Sequence, residues 1–146
     1  MALIRKATAN WKGTGKEGSG TVTTPSGVLN NTPHSFHTRF VSEDGTAGTN
    51  PEELIAAAHA SCFTMKLSFI LGNGGHTPDE LVCTSNIQMG PIPGGNGIVG
   101  IHLDLKATVP GISQEEFAKC AEEAKVGCPI SQALKALPIT LTAVLA

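Results

Sequence analysis

Four cysteines, Cys62, Cys83, Cys120 and Cys128, give this 146-residue chain its widest choice of chemistry. A cysteine can be a nucleophile, a redox centre or a metal ligand, and in a reducing compartment it is not expected to form a structural disulfide. A chain of this length buries roughly 68–70% of its unfolded surface, so it does not need disulfides or metals in order to fold. The cysteines are therefore the first candidates for function.

Two of these cysteines have informative surroundings. Cys62 lies in a long apolar segment, about 18 Å from the start of a predicted helix, where the helix dipole has no effect. It is an inert buried thiol unless a cation reaches it. Cys128 precedes Pro129 and is predicted to cap a short helix, whose unpaired N–H groups favour a thiolate. Local physics thus favours Cys128 as the thiolate, whereas Cys83 and Cys120 are expected only to pack.

A histidine and an arginine could cooperate with these thiols. His59 shares a helix face with Cys62, and both could bind zinc. A four-ligand site would also need the distant Cys128 and a residue such as His37, so we expect no metal and interpret His59 as a hydrogen-bonded core histidine. Arg39 lies between two phenylalanines in a predicted strand. With a period of two, Arg39 and His37 share one face of that strand. That face is either solvated or lines a cleft, where a guanidinium could hold a thiolate and a carboxylate together.

The helices and strands that would position these residues can be predicted from the sequence, and together they indicate one α+β domain over residues 1–146. Polar and apolar residues alternate in Gly20–Thr24 and Ser35–Val41, which indicates strands. Turn residues occupy Pro25–Gly27 and Asn30–Pro33. An N-terminal antiparallel meander is the predicted arrangement.

A long central helix follows. Asn50 is its predicted N-cap, Pro51 its first residue, and Glu52 and Glu53 suit the positive end of the dipole. The body, residues 54–71, is apolar on nearly all sides, so it should be buried in the molecule. Either a second subunit covers it, or the second helix and both sheet layers of the same chain enclose it.

The remaining residues predict a hairpin, two helices and a strand. The hairpin strands are Leu81–Gly90 and Ile98–Val109, joined by Pro91–Gly97. Ser113 and Glu116 form the capping box of the second helix, which Gly127 ends. A short helix over Pro129–Ala136 and a strand over Ile139–Leu145 complete the fold.

Charge and composition exclude some partners. The net charge is −2, the isoelectric point is near 6.2, and there are only two arginines, so no nucleic acid is expected to bind. Arg5 and Lys6 follow only three apolar residues, which does not resemble a signal peptide, and no apolar run is expected to cross a membrane. The prediction is a cytoplasmic protein.

Two long motifs resemble the OsmC/Ohr family, named after osmotically inducible protein C. Gly48–Phe63 resembles the family's helix-opening signature, and residues 120–134 resemble its second cysteine motif. Thr21–Asn30 and Phe36–Phe40 resemble the OsmC branch in particular. The resemblance extends from Trp11 to the final strand.

The resemblance implies an intertwined α+β homodimer with two active sites at its interface. The implied activity is a peroxiredoxin-like reduction of organic hydroperoxides in oxidative and osmotic stress defence, with no cofactor and with an external dithiol as reductant. By the same resemblance Cys62 is the peroxidatic thiol, Cys128 the resolving thiol, Arg39 the activating cation and Glu52 the carboxylate that orients it. The loop at Ala47-Gly48 is slightly longer than in the family, which could change how Arg39 meets the pocket.

Helix geometry adds a constraint to that site. Cys62 follows Glu52 by ten residues, a helical rise of about 15 Å, which is too far for both to contact one arginine in a single chain. The carboxylate is therefore expected to come from the partner subunit. Lys66, one turn after Cys62, is a second candidate cation. A binding module for apolar ligands and a zinc-binding structural protein remain as alternative functions.

Overall fold

Three short strands open the computed structural model, which describes residues 2–146. They are β1 (Thr8–Lys12), β2 (Ser19–Thr23) and β3 (Thr32–Ser35). Both neighbouring pairs are antiparallel, in the order β1-β2-β3. The predicted meander is present.

A short helix, α1 (Phe36–Phe40), replaces the strand predicted over residues 35–41. The Ser35 hydroxyl accepts a hydrogen bond from the Thr38 N–H at 3.1 Å, and the Thr38 hydroxyl accepts one from the Ser35 N–H at 2.8 Å. This reciprocal capping starts a helix where alternating polarity had indicated a strand. His37 and Arg39 were predicted to share one face of that strand. Residues two apart do not share a helix face, so this prediction is wrong as well.

The long helix α2 (Pro51–Asn73) begins where it was predicted to begin. The Asn50 carboxamide oxygen accepts a hydrogen bond from the Glu53 N–H at 2.8 Å, as an N-cap should. Its buried side chains lie four residues apart and are His59, Phe63, Leu67 and Leu71. On another face Met65 and Phe69 are 63% and 65% exposed. The chain alone does not enclose this helix, and the prediction of burial on all sides is wrong for one chain.

The helix is also long and apolar enough to cross a membrane, judged by length and composition alone. This differs from the expectation that no such run exists. Phe63, Leu67 and Leu71 of the helix are fully buried against other parts of the chain. Buried contacts of this kind are those of a core helix in a globular protein.

The chain divides into two compact units, residues 1–54 and 55–146. The second unit contains β4 (Glu80–Ile92), β5 (Gly95–Thr108) and β6 (Ile139–Leu145), in that order in the sheet. β4 and β5 are antiparallel, and β6 runs parallel to β5. The predicted hairpin is present but longer, because its strands pair as far as Ile92 and Gly95 around a Pro93-Gly94 turn. Gly94 has a φ of 91°, which a glycine adopts without strain.

Two helices of the second unit lead to Cys128. α3 (Gln114–Gly127) is capped by Ser113, whose hydroxyl accepts from the Glu116 N–H at 3.2 Å. The Glu116 carboxylate contacts His76, 3.3 Å away, so only half of the predicted capping box forms. α4 (Pro129–Ala133) follows directly and ends before the predicted Ala136.

The core of the second unit lies between α2, α3 and one face of the sheet. Its fully buried side chains include those of Phe63, Leu67, Leu71, Leu103, Phe117, Ala121, Ala124 and Cys128. Cys128 is thus a core residue as well as the residue that precedes α4.

Candidate active site

Arg39 and Glu52 form a close ion pair in the first unit. Arg39 Nη2 lies 2.6 Å from Glu52 Oε1, and Arg39 Nε lies 3.1 Å from both carboxylate oxygens. The guanidinium carbon is also 4.9 Å from the centre of the Phe40 ring. Several charge-assisted hydrogen bonds hold the guanidinium plane in a fixed direction.

The loop between α1 and α2 keeps these two side chains together. The Thr49 N–H donates to the Pro33 carbonyl at 2.9 Å, and the buried Thr38 hydroxyl donates to the Thr49 carbonyl at 3.1 Å. A Cβ at Gly48 would lie 2.5 Å from the Pro33 oxygen, so only glycine permits this approach. The loop that contains Ala47 and Gly48 is therefore bonded to β3 and α1 at its end, Thr49.

A cleft of about 290 Å³ opens beside Arg39 in the same unit. Its walls include the rings of Trp11, His34, Phe36 and Phe40. The Arg39 side chain is 38% exposed, and its charge lies in the cleft with these rings and with the polar residues Ser35, Thr49 and Asn50. Such a cleft can accept a molecule with an apolar tail and one polar end.

Cys62 and Cys128 meet in the second unit. Burial, followed by a hydrogen bond with the Cys128 thiol, raises the pKa of Cys62. A hydrogen bond from the Ile130 N–H opposes this rise in pKa. None of the cationic side chains of residues 55–146 is among the causes. Within this unit the two sulfurs are brought together, but Cys62 gains no cation that would favour its thiolate.

The Lys66 side chain lies beside Gly127, the last residue of α3. A Cβ at Gly127 would be 3.0 Å from Lys66 Cε and 3.7 Å from Lys66 Nζ, so the lysine side chain passes over the residue before Cys128. Among residues 2–146 its ammonium has neither a hydrogen-bond nor an ion-pair partner.

His59 is the hydrogen-bonded core histidine that the sequence predicted. Its Nε2 lies 2.8 Å from the Ser131 hydroxyl oxygen, and burial lowers the pKa of His59. Within the described residues 2–146, no group of three or more His, Cys, Asp or Glu side chains could hold a metal ion. Sequence reasoning gave Ser131 no role, although its place three residues after Cys128 matches that of His59 three residues before Cys62.

Cys83 and Cys120 pack against the core. Burial raises the pKa of Cys83 to about 11, with smaller effects of Asp104 and Cys128. Burial, then Glu116 and Glu123, raises the pKa of Cys120. Neither surrounding favours a thiolate at neutral pH.

Residues 43–142 match the family profile described as OsmC-like protein. The chain belongs to the OsmC family. It is 47% identical over 136 residues to Peroxiredoxin OsmC of Escherichia coli (strain K12), covering 93% of each chain. It is 36% identical over 100 residues to the Organic hydroperoxide resistance protein of Xanthomonas axonopodis pv. citri, covering 67% of this chain and 68% of that protein.

Solved structures show that the fold is the OsmC-like α+β fold. An OsmC-like protein of unknown function from Vibrio cholerae superimposes with a TM-score of 0.77 at 16% identity, over 98% of this chain and 100% of that one. The Organic Hydroperoxide Resistance Protein OhrB of Bacillus subtilis gives a TM-score of 0.66 at 23% identity, over 97% and 98%. At these identities the likeness concerns the fold alone.

Proposed function

We propose that this OsmC family member is a thiol peroxidase that reduces organic hydroperoxides in oxidative and osmotic stress defence. The observation that carries the proposal is the meeting of Cys62 and Cys128 in the core of the second unit. Two neighbouring thiols can take up the oxidising equivalents of one peroxide by forming one disulfide. The relatives named for peroxiredoxin and organic hydroperoxide resistance activity support this reading.

The reaction begins with attack of the Cys62 thiolate on the distal oxygen of the hydroperoxide. The O–O bond breaks, the alkoxide takes up a proton and leaves as an alcohol, and Cys62 becomes a sulfenic acid. The Cys128 thiol then attacks the Cys62 sulfur, which forms the disulfide and releases water. An external dithiol reduces the disulfide and restores both thiols.

The Arg39–Glu52 pair supplies the cation in this proposal, and a partner subunit supplies the pair. Burial opposes the Cys62 thiolate, and no cation of residues 55–146 offsets it. Arg39 is bound to Glu52 of its own chain, and a helical rise of about 15 Å separates residues 52 and 62. We therefore assign Arg39 and Glu52 of one chain to Cys62 of the other, in a homodimer with two sites.

The cleft beside Arg39 indicates the substrate class. Its aromatic walls favour an alkyl chain, whose burial contributes about 0.8 kcal/mol per methylene. Hydrogen peroxide has no such chain and is expected to be the poorer substrate. We place the reaction in the cytoplasm, where dithiol reductants are maintained.

The experiment that tests this function counts thiols before and after one equivalent of tert-butyl hydroperoxide. Two of the four thiols per chain should disappear from the reduced protein, with one equivalent of alcohol formed. Cys62→Ser should lose none, while Cys83→Ser and Cys120→Ser, the matched controls, should behave like the unsubstituted protein. Thiol loss in Cys62→Ser, or none in the unsubstituted protein, would refute the assignment.

A further inference from the structure

A buried hydrogen bond joins the two helices that carry the reactive cysteines. His59 of α2 and Ser131 of α4 are 72 residues apart in the sequence, and their Nε2 and Oγ atoms are 2.8 Å apart. His59 is 0% exposed and Ser131 4% exposed. A neutral hydrogen bond shielded from water in this way holds its two helices in one relative position.

The bond lies at the level of the two thiols. His59 precedes Cys62 by three residues and shares its helix face. Ser131 follows Cys128 by three residues, within the first turn of α4. The backbone of Ile130, next to Ser131, lowers the pKa of Cys62, which places the first turn of α4 beside that thiol. Two successive residues of α4 thus lie against α2, Ser131 at His59 and Ile130 at Cys62.

The histidine is not fully satisfied by this arrangement. His59 Nδ1 is buried and has no hydrogen-bond partner among residues 2–146. An unpaired buried polar atom opposes folding, and an apolar side chain of similar size would avoid that cost. The polar residue therefore requires an explanation other than stability, and the position of α4 supplies one.

Disulfide formation is the step that depends most on this position. A disulfide requires its Cβ atoms to lie about 3.5–4.5 Å apart with a narrow range of dihedral angles. When the Cys128 thiol attacks the sulfenic acid of Cys62, the S–O bond breaks as the S–S bond forms. The hydroxyl group and the thiol proton leave together as water. The attack of Cys62 on the peroxide does not involve Cys128, so that step does not depend on the position of α4.

We propose that His59 and Ser131 are positioning residues for the resolving step, because their hydrogen bond holds Cys128 where it can attack oxidised Cys62. The proposal rests on the thiol peroxidase function proposed above. It assigns to both residues an effect on disulfide formation and none on the first, peroxide-reducing step.

Single-turnover kinetics with one equivalent of tert-butyl hydroperoxide separate the two steps. Consumption of peroxide follows the first step, and trapping of the sulfenic acid with dimedone at successive times follows the second. In Ser131→Ala and in His59→Phe, disulfide formation should slow by roughly 10- to 100-fold, while peroxide consumption stays within about twofold of the unsubstituted protein. The double variant should be no slower than either single one, because both remove the same bond.

Two further variants distinguish positioning from general loss of stability. His59→Gln keeps an amide nitrogen near the position of Nε2 and should restore rapid disulfide formation. Phe117→Leu removes packing from the α3 side of the same core and should lower stability without slowing the resolving step. Ser131→Ala removes a single oxygen atom, so the test stands even where His59→Phe fails to fold.

The outcomes separate this proposal from the function on which it rests. Failure of the unsubstituted protein to consume peroxide would remove the function itself. Rapid disulfide formation in Ser131→Ala, with the unsubstituted protein active, would overturn only the positioning role. Additive slowing in the double variant, or equal slowing in Phe117→Leu, would overturn it as well.

Discussion

At the scale of single residues, the proposed reaction depends on a positive charge beside Cys62 that favours its thiolate. Burial raises the pKa of Cys62. In the proposed dimer the partner's Arg39 lowers that pKa, so Arg39→Met should return it to the level set by burial, and the midpoint of the pH profile for Cys62 alkylation should move up by roughly 1–3 pH units. The measurement is the rate of iodoacetamide modification of Cys62, followed by mass spectrometry of its peptide.

Lys66→Met is the matched control for Arg39→Met. Lys66 is on the same helix as Cys62, but its ammonium lies along Gly127 and is not a cause of the Cys62 pKa shift. The alkylation profile should therefore stay in place. A profile that moves in Lys66→Met and not in Arg39→Met would make the lysine the activating cation.

The sequence indicated the candidate reactive residues but few of their contacts. The Cys62 and Cys128 motifs are local and were visible in it. Alternating polarity placed Arg39 on a strand face, although a helix carries it. Ser131 had no signal of its own, because its partner His59 lies 72 residues away. Contacts between distant segments depend on packing that no local pattern encodes.

At the scale of elements, the short helix α1 positions Arg39. Its capping by Ser35 and Thr38 fixes the first turn, and Arg39 lies in the last. Ser35→Ala should lower stability by about 0.5–2 kcal/mol and, because α1 frays, weaken the Arg39–Glu52 pair and slow peroxide consumption. Urea unfolding measures the first effect, and single-turnover kinetics the second.

Ser113→Ala is the corresponding change at the start of α3. It removes the same kind of cap, since the Ser113 hydroxyl also accepts from the N–H three residues later. A similar loss of stability is expected, with peroxide consumption unchanged. Equal slowing in both variants would show that α1 does not act through Arg39.

The attachment of α2 to α4 should make stability depend on pH. Burial lowers the pKa of His59 in the folded protein below its ordinary value of about 6.5. The unfolded chain therefore binds a proton that the folded chain excludes, and stability is lost as pH falls below about 6.5, by at most about 1.4 kcal/mol per pH unit.

His59→Gln provides the comparison, because glutamine does not titrate. Urea midpoints of the reduced proteins at pH 7.5 and 5.5 should differ more for the unsubstituted protein than for the variant. Equal losses of stability in the two proteins would mean that His59 does not exclude a proton on folding.

The elements also show where sequence patterns are reliable. Helices α2 and α3 begin where their caps were predicted, because a cap depends only on residues within one turn. The burial of α2 could not be predicted in the same way. Its composition is apolar all round, yet one chain fully buries only His59, Phe63, Leu67 and Leu71 and leaves Met65 and Phe69 mostly exposed.

At the scale of the whole molecule, the uncovered face of α2 favours a dimer. Met65 and Phe69 remain mostly exposed in one chain, on the helix that also carries Cys62. Burying such side chains against a second copy would stabilise association. The proposed shared site requires such an association, because its arginine and its thiol come from different chains.

Mixed dimers test which chain supplies each residue. Two tagged chains are co-expressed, and the heterodimer is isolated by sequential affinity steps. Pairing Arg39→Met with Cys62→Ser leaves one complete site, because the second chain keeps Arg39 and Glu52 and the first keeps Cys62. We expect about half of the unsubstituted activity, as one of two symmetric sites is intact. The heterodimer of Glu52→Ala with Cys62→Ser should recover the same activity.

The decisive control pairs Arg39→Met with Glu52→Ala. Arg39 and Glu52 are bound to each other within one chain, so each site of this heterodimer has a broken pair, and activity should stay at the level of the single variants. Recovered activity in this heterodimer would mean that the Arg39 and the Glu52 of one site come from different chains. Activity could also recover when Cys62→Ser is paired with Glu52→Ala but not when it is paired with Arg39→Met. That result would mean that Arg39 acts on Cys62 of its own chain. No recovery in any pair would place all three residues in one chain and remove the argument for a shared site.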